Sequence, residues 1–180
     1  MYNFLKVKTV DLRKRKSIVN MIITYNGKEY FCRTFSDGRV ELRTNKYEDE
    51  TFKNFKGEYK NINDLYIKYV DISECKNLKY MWIFAVYNDE SIEVFKMDSD
   101  KYQLLVTTGF SYGYSKTFIQ DVLGGVEGRD IDAWCDIDVF TGFFMRTRDD
   151  ITKEEKDIIL DKERALEYID LMRPESWWKR

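Results

Sequence analysis

The sequence predicts an α+β fold: antiparallel β-meanders of about seven or eight strands, then a short helix and a long C-terminal helix. Three observations carry this. Runs of β-branched and aromatic residues alternate with polar turns through residues 2–108. The one proline, Pro174, leaves every earlier element uninterrupted. Helical spacing of apolar residues is found only late in the chain.

The elements follow in order. Residues 2–12 read as a strand, and residues 17–25 (SIVNMIITY) as a stronger one. Asn26-Gly27 is a two-residue hairpin signal, because both positions accept positive φ. Residues 29–35 return, with Tyr30 and Cys32 on one face and Phe31 and Phe35 on the other. Asp37-Gly38 turns the chain again, and Val40 and Leu42 then alternate with Glu41 and Arg43. Residues 45–60 are polar with embedded rings and read as a loop or short helix. Residues 64–72 favour a strand. Residues 78–87 are apolar on both faces and predict a central strand. Residues 91–97 and 101–108 complete the second meander. Residues 115–123 form a short helix that Gly124-Gly125 ends. Thr152-Lys153-Glu154-Glu155 has the form of a capping box. The helix it predicts runs to about Met172, with Ile158, Ile159, Ala165, Leu166, Ile169 and Met172 as its apolar stripe.

A length of 180 residues fits one domain over 1–180, or two lobes: a basic meander over 1–60 and a second meander with an acidic helical part over 61–180. Residues 1–60 carry 14 basic and 8 acidic side chains, against 10 and 15 in residues 126–180. A chain polarised in this way can present faces of opposite potential. Cys32, Cys75 and Cys135 are widely spaced, include no CxxC pair and read as reduced thiols of a cytoplasmic protein. Residues 1–8 lack the apolar run of a signal peptide, and residues 80–87, the longest apolar stretch, are too few to span a membrane.

The chain contains no histidine. That excludes serine and cysteine triads and every His-ligated metal site. Carboxylate chemistry with magnesium remains. Asp130, Asp132, Asp136 and Asp138 form a D-x-D-x-x-x-D-x-D array, in which residues two apart on an extended segment share a face and could hold a hard cation. The alternative is a solvated face alternating with Ile131 and Ile137. Glu74-Cys75-Lys76 fits the E-x-K part of a magnesium nuclease core, with Asp64 or Asp71 upstream, but E-x-K recurs at residues 58–60 and 154–156.

Binding residues are more numerous. Arg13, Lys14, Arg15 and Lys16 lie between two predicted strands and suit phosphate binding. Phe110, Tyr112 and Tyr114 lie in a glycine-containing loop suited to base stacking or partner anchoring. Trp177 and Trp178 need either the protein's own core or a partner to cover them.

In composition the chain resembles small phage or mobile-element proteins of low-GC bacteria, rich in Lys, Asp, Tyr and Ile. This likeness covers no motif. It implies an accessory or counter-defence inhibitor, such as an anti-CRISPR protein. The expected function is therefore a non-enzymatic interaction protein that occludes a surface of a larger protein or nucleoprotein partner, without a cofactor. The alternatives are a nucleic-acid-binding protein and a magnesium-dependent nuclease.

Overall fold

A computed structural model describes residues 20–55, 64–108, 116–125 and 131–175. Within them the chain forms eleven strands and two short α-helices. The chain divides into two compact units, and both are discontinuous in sequence.

The first unit takes its described residues from 20–81, 146–157 and 170–175. Its sheet is built from β1 (Asn20–Tyr25), β2 (Lys28–Thr34), β3 (Arg39–Thr44), β4 (Lys53–Asn54), β5 (Tyr66–Asp71) and residues 75–81 of β6 (Cys75–Tyr87). The order is β4-β5-β3-β2-β1-β6, each neighbour antiparallel. The β1–β2 hairpin turns where expected: Asn26 has φ 49° and Gly27 φ 77°. This matches the right-handed twist of the flanking strands. One face forms the core, with Ile23, Tyr25, Tyr30, Cys32, Val40, Leu42, Phe52 and Val70. Tyr30 stacks on Phe52 at 5.6 Å between ring centroids. Tyr30 and Cys32 thus face inward, as their alternation predicts.

The second unit takes its described residues from 82–108, 116–125, 131–145 and 158–169. Residues 82–87 of β6 pair with β7 (Glu90–Asp98), β7 with β8 (Gln103–Thr107), and β8 with β9 (Asp132–Asp136), all antiparallel. Asn88 and Asp89 make the β6–β7 turn at φ 44° and 65°. Helix α1 (Lys116–Asp121) ends as expected, with Gly124 and Gly125 both at positive φ and the Gly125 N–H donating to Ile119 O at 2.9 Å. Its first turn is anchored by Glu90, which accepts from the N–H groups of Thr117 and Phe118, both at 2.8 Å. Burial alone would raise the Glu90 carboxyl, but these backbone donors and the Thr117 hydroxyl outweigh it and hold it low. The core packs Phe84 on Phe144 at 5.0 Å and Phe118 on Phe140 at 5.8 Å.

The long C-terminal helix is not formed, so the fold is mostly antiparallel β-sheet with two short helices rather than the balanced α+β arrangement expected. Residues 155–160 are instead strand β11 (Glu155–Leu160), which pairs with β10 (Gly142–Asp149). The physical reason lies in the turn between them. Asp149 Oδ1 accepts from the N–H groups of Ile151 and Thr152, both at 2.8 Å. Lys153 takes φ 60°, and the Asp149 N–H donates to Glu154 O at 3.0 Å. Thr152 is thereby committed to a hairpin turn and does not cap a helix. Ile159 is 88% exposed, and Ile158 also lies outside the helical stripe. Helix α2 is only Lys162–Met172, and its N-cap is Asp161, whose Oδ1 accepts from the Arg164 N–H at 2.8 Å. Ala165, Ile169 and Met172 do form its buried side. Among the described residues no helix is long and apolar enough to cross a membrane.

Two outcomes follow. Asp161→Ala removes the working N-cap and lowers stability by about 0.5–2 kcal/mol in urea denaturation. Thr152→Ala costs clearly less; an equal or larger loss would restore the longer helix. The Glu90 carboxyl is lowered in the folded state, so its stabilisation is complete above its ordinary value of 4.5 and is lost as pH falls through the folded value. Glu90→Gln is therefore expected to make the acid limb of a pH–stability curve shallower.

Candidate functional site

The described members of the acidic array take different local structures: Asp132 and Asp136 are the two ends of β9, Asp138 lies in a 3-10 turn, and Ile131 and Ile137 beside them are buried. Asp132 lies opposite Thr107 in the β8–β9 register, and Asp136 accepts from Gln103 Nε2 at 3.1 Å. Asp138 meets Lys162 Nζ at 2.5 Å and the Tyr102 hydroxyl at 3.4 Å. The lysine holds the Asp138 carboxyl low. Asp130 lies outside the described residues. Among the described residues no three acidic or cysteine side chains group as a metal set.

Glu74 and Asp71 serve structure. Asp71 caps the 3-10 turn Ile72–Glu74 by accepting from the Ser73 N–H at 2.9 Å, while Glu74 accepts from the Asp71 N–H at 3.0 Å. Cys32 and Cys135 are buried and their thiols are pushed up to about 12, which removes thiolate reactivity near neutral pH. Arg13, Lys14, Arg15, Lys16, Phe110, Tyr112, Tyr114, Trp177 and Trp178 lie outside the described residues.

The site that the fold assembles lies on the non-core face of the first unit. In the β2–β3–β5 register Arg33 lies opposite Glu41, and Glu41 opposite Tyr69. In a parallel row Phe31 lies opposite Arg43, Arg43 opposite Ile67, and Ile67 opposite Lys53. Side chains two apart share a face, so both rows point to the same side. Of these, Arg33, Glu41, Tyr69, Ile67 and Lys53 line an open groove of about 320 Å³ with Thr51, Asn54 and Phe55. Phe55 is 47% exposed and Tyr69 54% exposed. Lys68 also borders the groove, but its ammonium lies over the rings of Tyr25, at 4.8 Å, and Phe52, at 5.6 Å. It is therefore occupied on the core side.

Glu41, one of the lining residues, belongs to a buried ion pair. Glu41 and Arg43 are only 4% and 5% exposed, although strand alternation assigns them to the polar face. Arg43 Nε donates to Glu41 Oε1 at 2.8 Å. Its Nη1 donates to the carbonyls of Met172, at 2.9 Å, and Leu171, at 3.3 Å. These are carbonyls at the C-terminal end of α2, which lack helical partners and attract a cation. Burial is the largest influence on Arg43 and draws its pKa down, while Glu41 opposes the shift. The Tyr69 hydroxyl donates to Glu41 Oε2 at 3.0 Å. Burial first and this bond second raise the Tyr69 pKa.

Both Glu41 oxygens thus accept a hydrogen bond, and the other charged residues among the described lining are Arg33 on β2, Lys53 on β4 and Lys68 on β5, while Asp49 accepts from Thr51 and Asp64 from Asn54 at the groove's edge. Beside them, Arg33 lies over the Phe35 ring at 4.8 Å, and Arg39 over Phe35 and Tyr69 at 5.2 and 5.9 Å. Sequence reading missed this grouping. Its signal, alternating Arg and Glu with aromatic neighbours over 31–43 and 67–69, becomes a site only once the strand register is known.

Removing one member of a buried pair leaves the other charged and unanswered. Arg43→Leu is expected to cost about 3–5 kcal/mol, read from the denaturation midpoint. The Glu41→Leu/Arg43→Leu double variant is expected to lose less than Arg43→Leu alone. Equal losses would show that the stranded carboxylate is not the source of the cost.

No curated protein and no solved structure matches the chain. A family model does match, over residues 20–122, which takes in β1 to β8 and therefore all the strands that build the groove. The chain belongs to the family described as "Uncharacterised conserved protein UCP033725".

Proposed function

We propose that the protein acts by binding rather than by catalysis, docking an anionic surface of a larger protein or nucleoprotein partner against the groove on its β2–β3–β5–β4 face and occluding that surface. One observation supports this reading: the acid at the centre of the groove is consumed internally, by Arg43 at 2.8 Å and Tyr69 at 3.0 Å. Arg33 and Lys53 are then the lining residues that offer positive charge on this face, and the exposed rings of Tyr69 and Phe55 lie beside them. Cations beside aromatic rings are the ordinary composition of a recognition surface.

The test is retention on immobilised heparin, a generic polyanion. The wild-type protein is expected to elute at higher salt than an Arg33→Glu/Lys53→Glu variant. A variant with Arg13, Lys14, Arg15 and Lys16 all replaced by Ala separates the groove from the N-terminal cluster. Retention unchanged by the groove reversal and abolished by the four alanines would reject the groove as the contact surface.

A further inference from the structure

The groove has a component that attraction of negative charge does not require. Phe55 and Tyr69 leave about half their surfaces in water, side by side with cations. The Tyr69 ring is held in place: its hydroxyl is bound to Glu41 at 3.0 Å, and its ring lies 6.2 Å from that of Phe35 at a 53° tilt. A ring ordered in advance loses little freedom when a flat partner stacks on it. Arg33 and Arg39, both lying over Phe35, extend this aromatic and guanidinium surface.

Resting on the binding reading above, we propose that the anionic partner of the groove is single-stranded nucleic acid, with bases against Tyr69 and Phe55 and phosphates on Arg33 and Lys53. The placement of the groups favours this. Arg33 is on β2 and Lys53 on β4, three strand spacings apart, which is roughly 14 Å between backbones. Tyr69, on β5, lies between them in the sheet, so a chain that crosses the groove from one cation to the other passes its ring. Single-strand binding sites combine these two elements, a cationic track and stacking platforms. A duplex keeps its base faces inside its own stack, and a groove of about 320 Å³ is too small to receive one.

The test is fluorescence anisotropy with a labelled oligothymidylate and a DNA duplex of the same length. The single strand is expected to bind more tightly than the duplex. Tyr69→Ala and Phe55→Ala are each expected to weaken it about tenfold. Tyr69→Phe, which keeps the ring but loses the hydroxyl bond that orders it, is expected to weaken binding by less than Tyr69→Ala does. Two phosphate contacts give a log–log salt slope of about −1.4, and Arg33→Ala should reduce its size by about 0.7. Far-UV circular dichroism confirms that each variant is folded, and Phe55→Ala, which leaves Glu41 untouched, keeps the test valid if Tyr69→Ala is not. Equal affinity for the duplex, or no loss on removing the rings, overturns the inference. Displacement of the oligonucleotide by poly-glutamate at equal charge would do so as well, assigning the groove to an acidic protein surface. In those cases groove-dependent heparin retention leaves the binding reading standing; loss of that retention removes both.

Discussion

A guanidinium withdrawn from water must be answered on several sides at once, and the first unit is organised around one that is. Arg43 is met by the Glu41 carboxylate along its own strand and by two carbonyls at the end of α2. Each partner has its own need. The carboxylate is buried and requires a counter-charge; the carbonyls lie beyond the last helical hydrogen bond and require donors. The last residues of α2 are thus held on a strand 128 positions away in sequence from Leu171. Apolar packing alone could bury β3, but it would not select this register, since only one alignment sets Arg43 beneath those carbonyls.

The same ion pair shapes the surface above it. Glu41 carries two oxygens, one taken by Arg43 and the other by Tyr69. Its charge is spent inside the protein, so Arg33, its cross-strand neighbour, keeps an outward-acting positive charge. Tyr69 is fixed by a hydrogen bond to the same carboxylate that Arg43 neutralises. Stability and recognition therefore share one set of atoms, and a substitution at Glu41 would disturb both: it would strand Arg43 and release the ring of Tyr69.

Local rules were readable where the residues that obey them are neighbours in sequence. Asn26-Gly27 makes its hairpin because those two residues alone accept the required φ. Gly124-Gly125 closes α1 for the same reason. The face on which Tyr30 and Cys32 lie follows from alternation. The capping-box pattern at Thr152 failed because its competitor was also local but stronger. Asp149 offered its carboxylate to two backbone N–H groups and turned the chain into a hairpin before a helix could start. Pattern matching at four residues did not weigh the acid three positions earlier. In the acidic array Asp138 meets Lys162, a partner 24 positions away that no short segment names.

Composition and order of residues were thus sufficient for the hairpin turn at Asn26-Gly27 and the helix end at Gly124-Gly125, most of the strands, which side chains share a strand face, and the exclusion of histidine chemistry. These depend on backbone preferences and on the two-residue period of a strand, which are properties of short segments. Tertiary structure decided the rest. Strand alternation assigned Glu41 and Arg43 to a polar face, and only the arrival of the α2 terminus buried them. Arg33, Lys53, Phe55 and Tyr69 are scattered over 37 residues and become one groove through the order β4-β5-β3-β2. Long-range pairing chooses which cation meets which carboxylate, because an electrostatic contact depends on distance in space and no short segment encodes that distance.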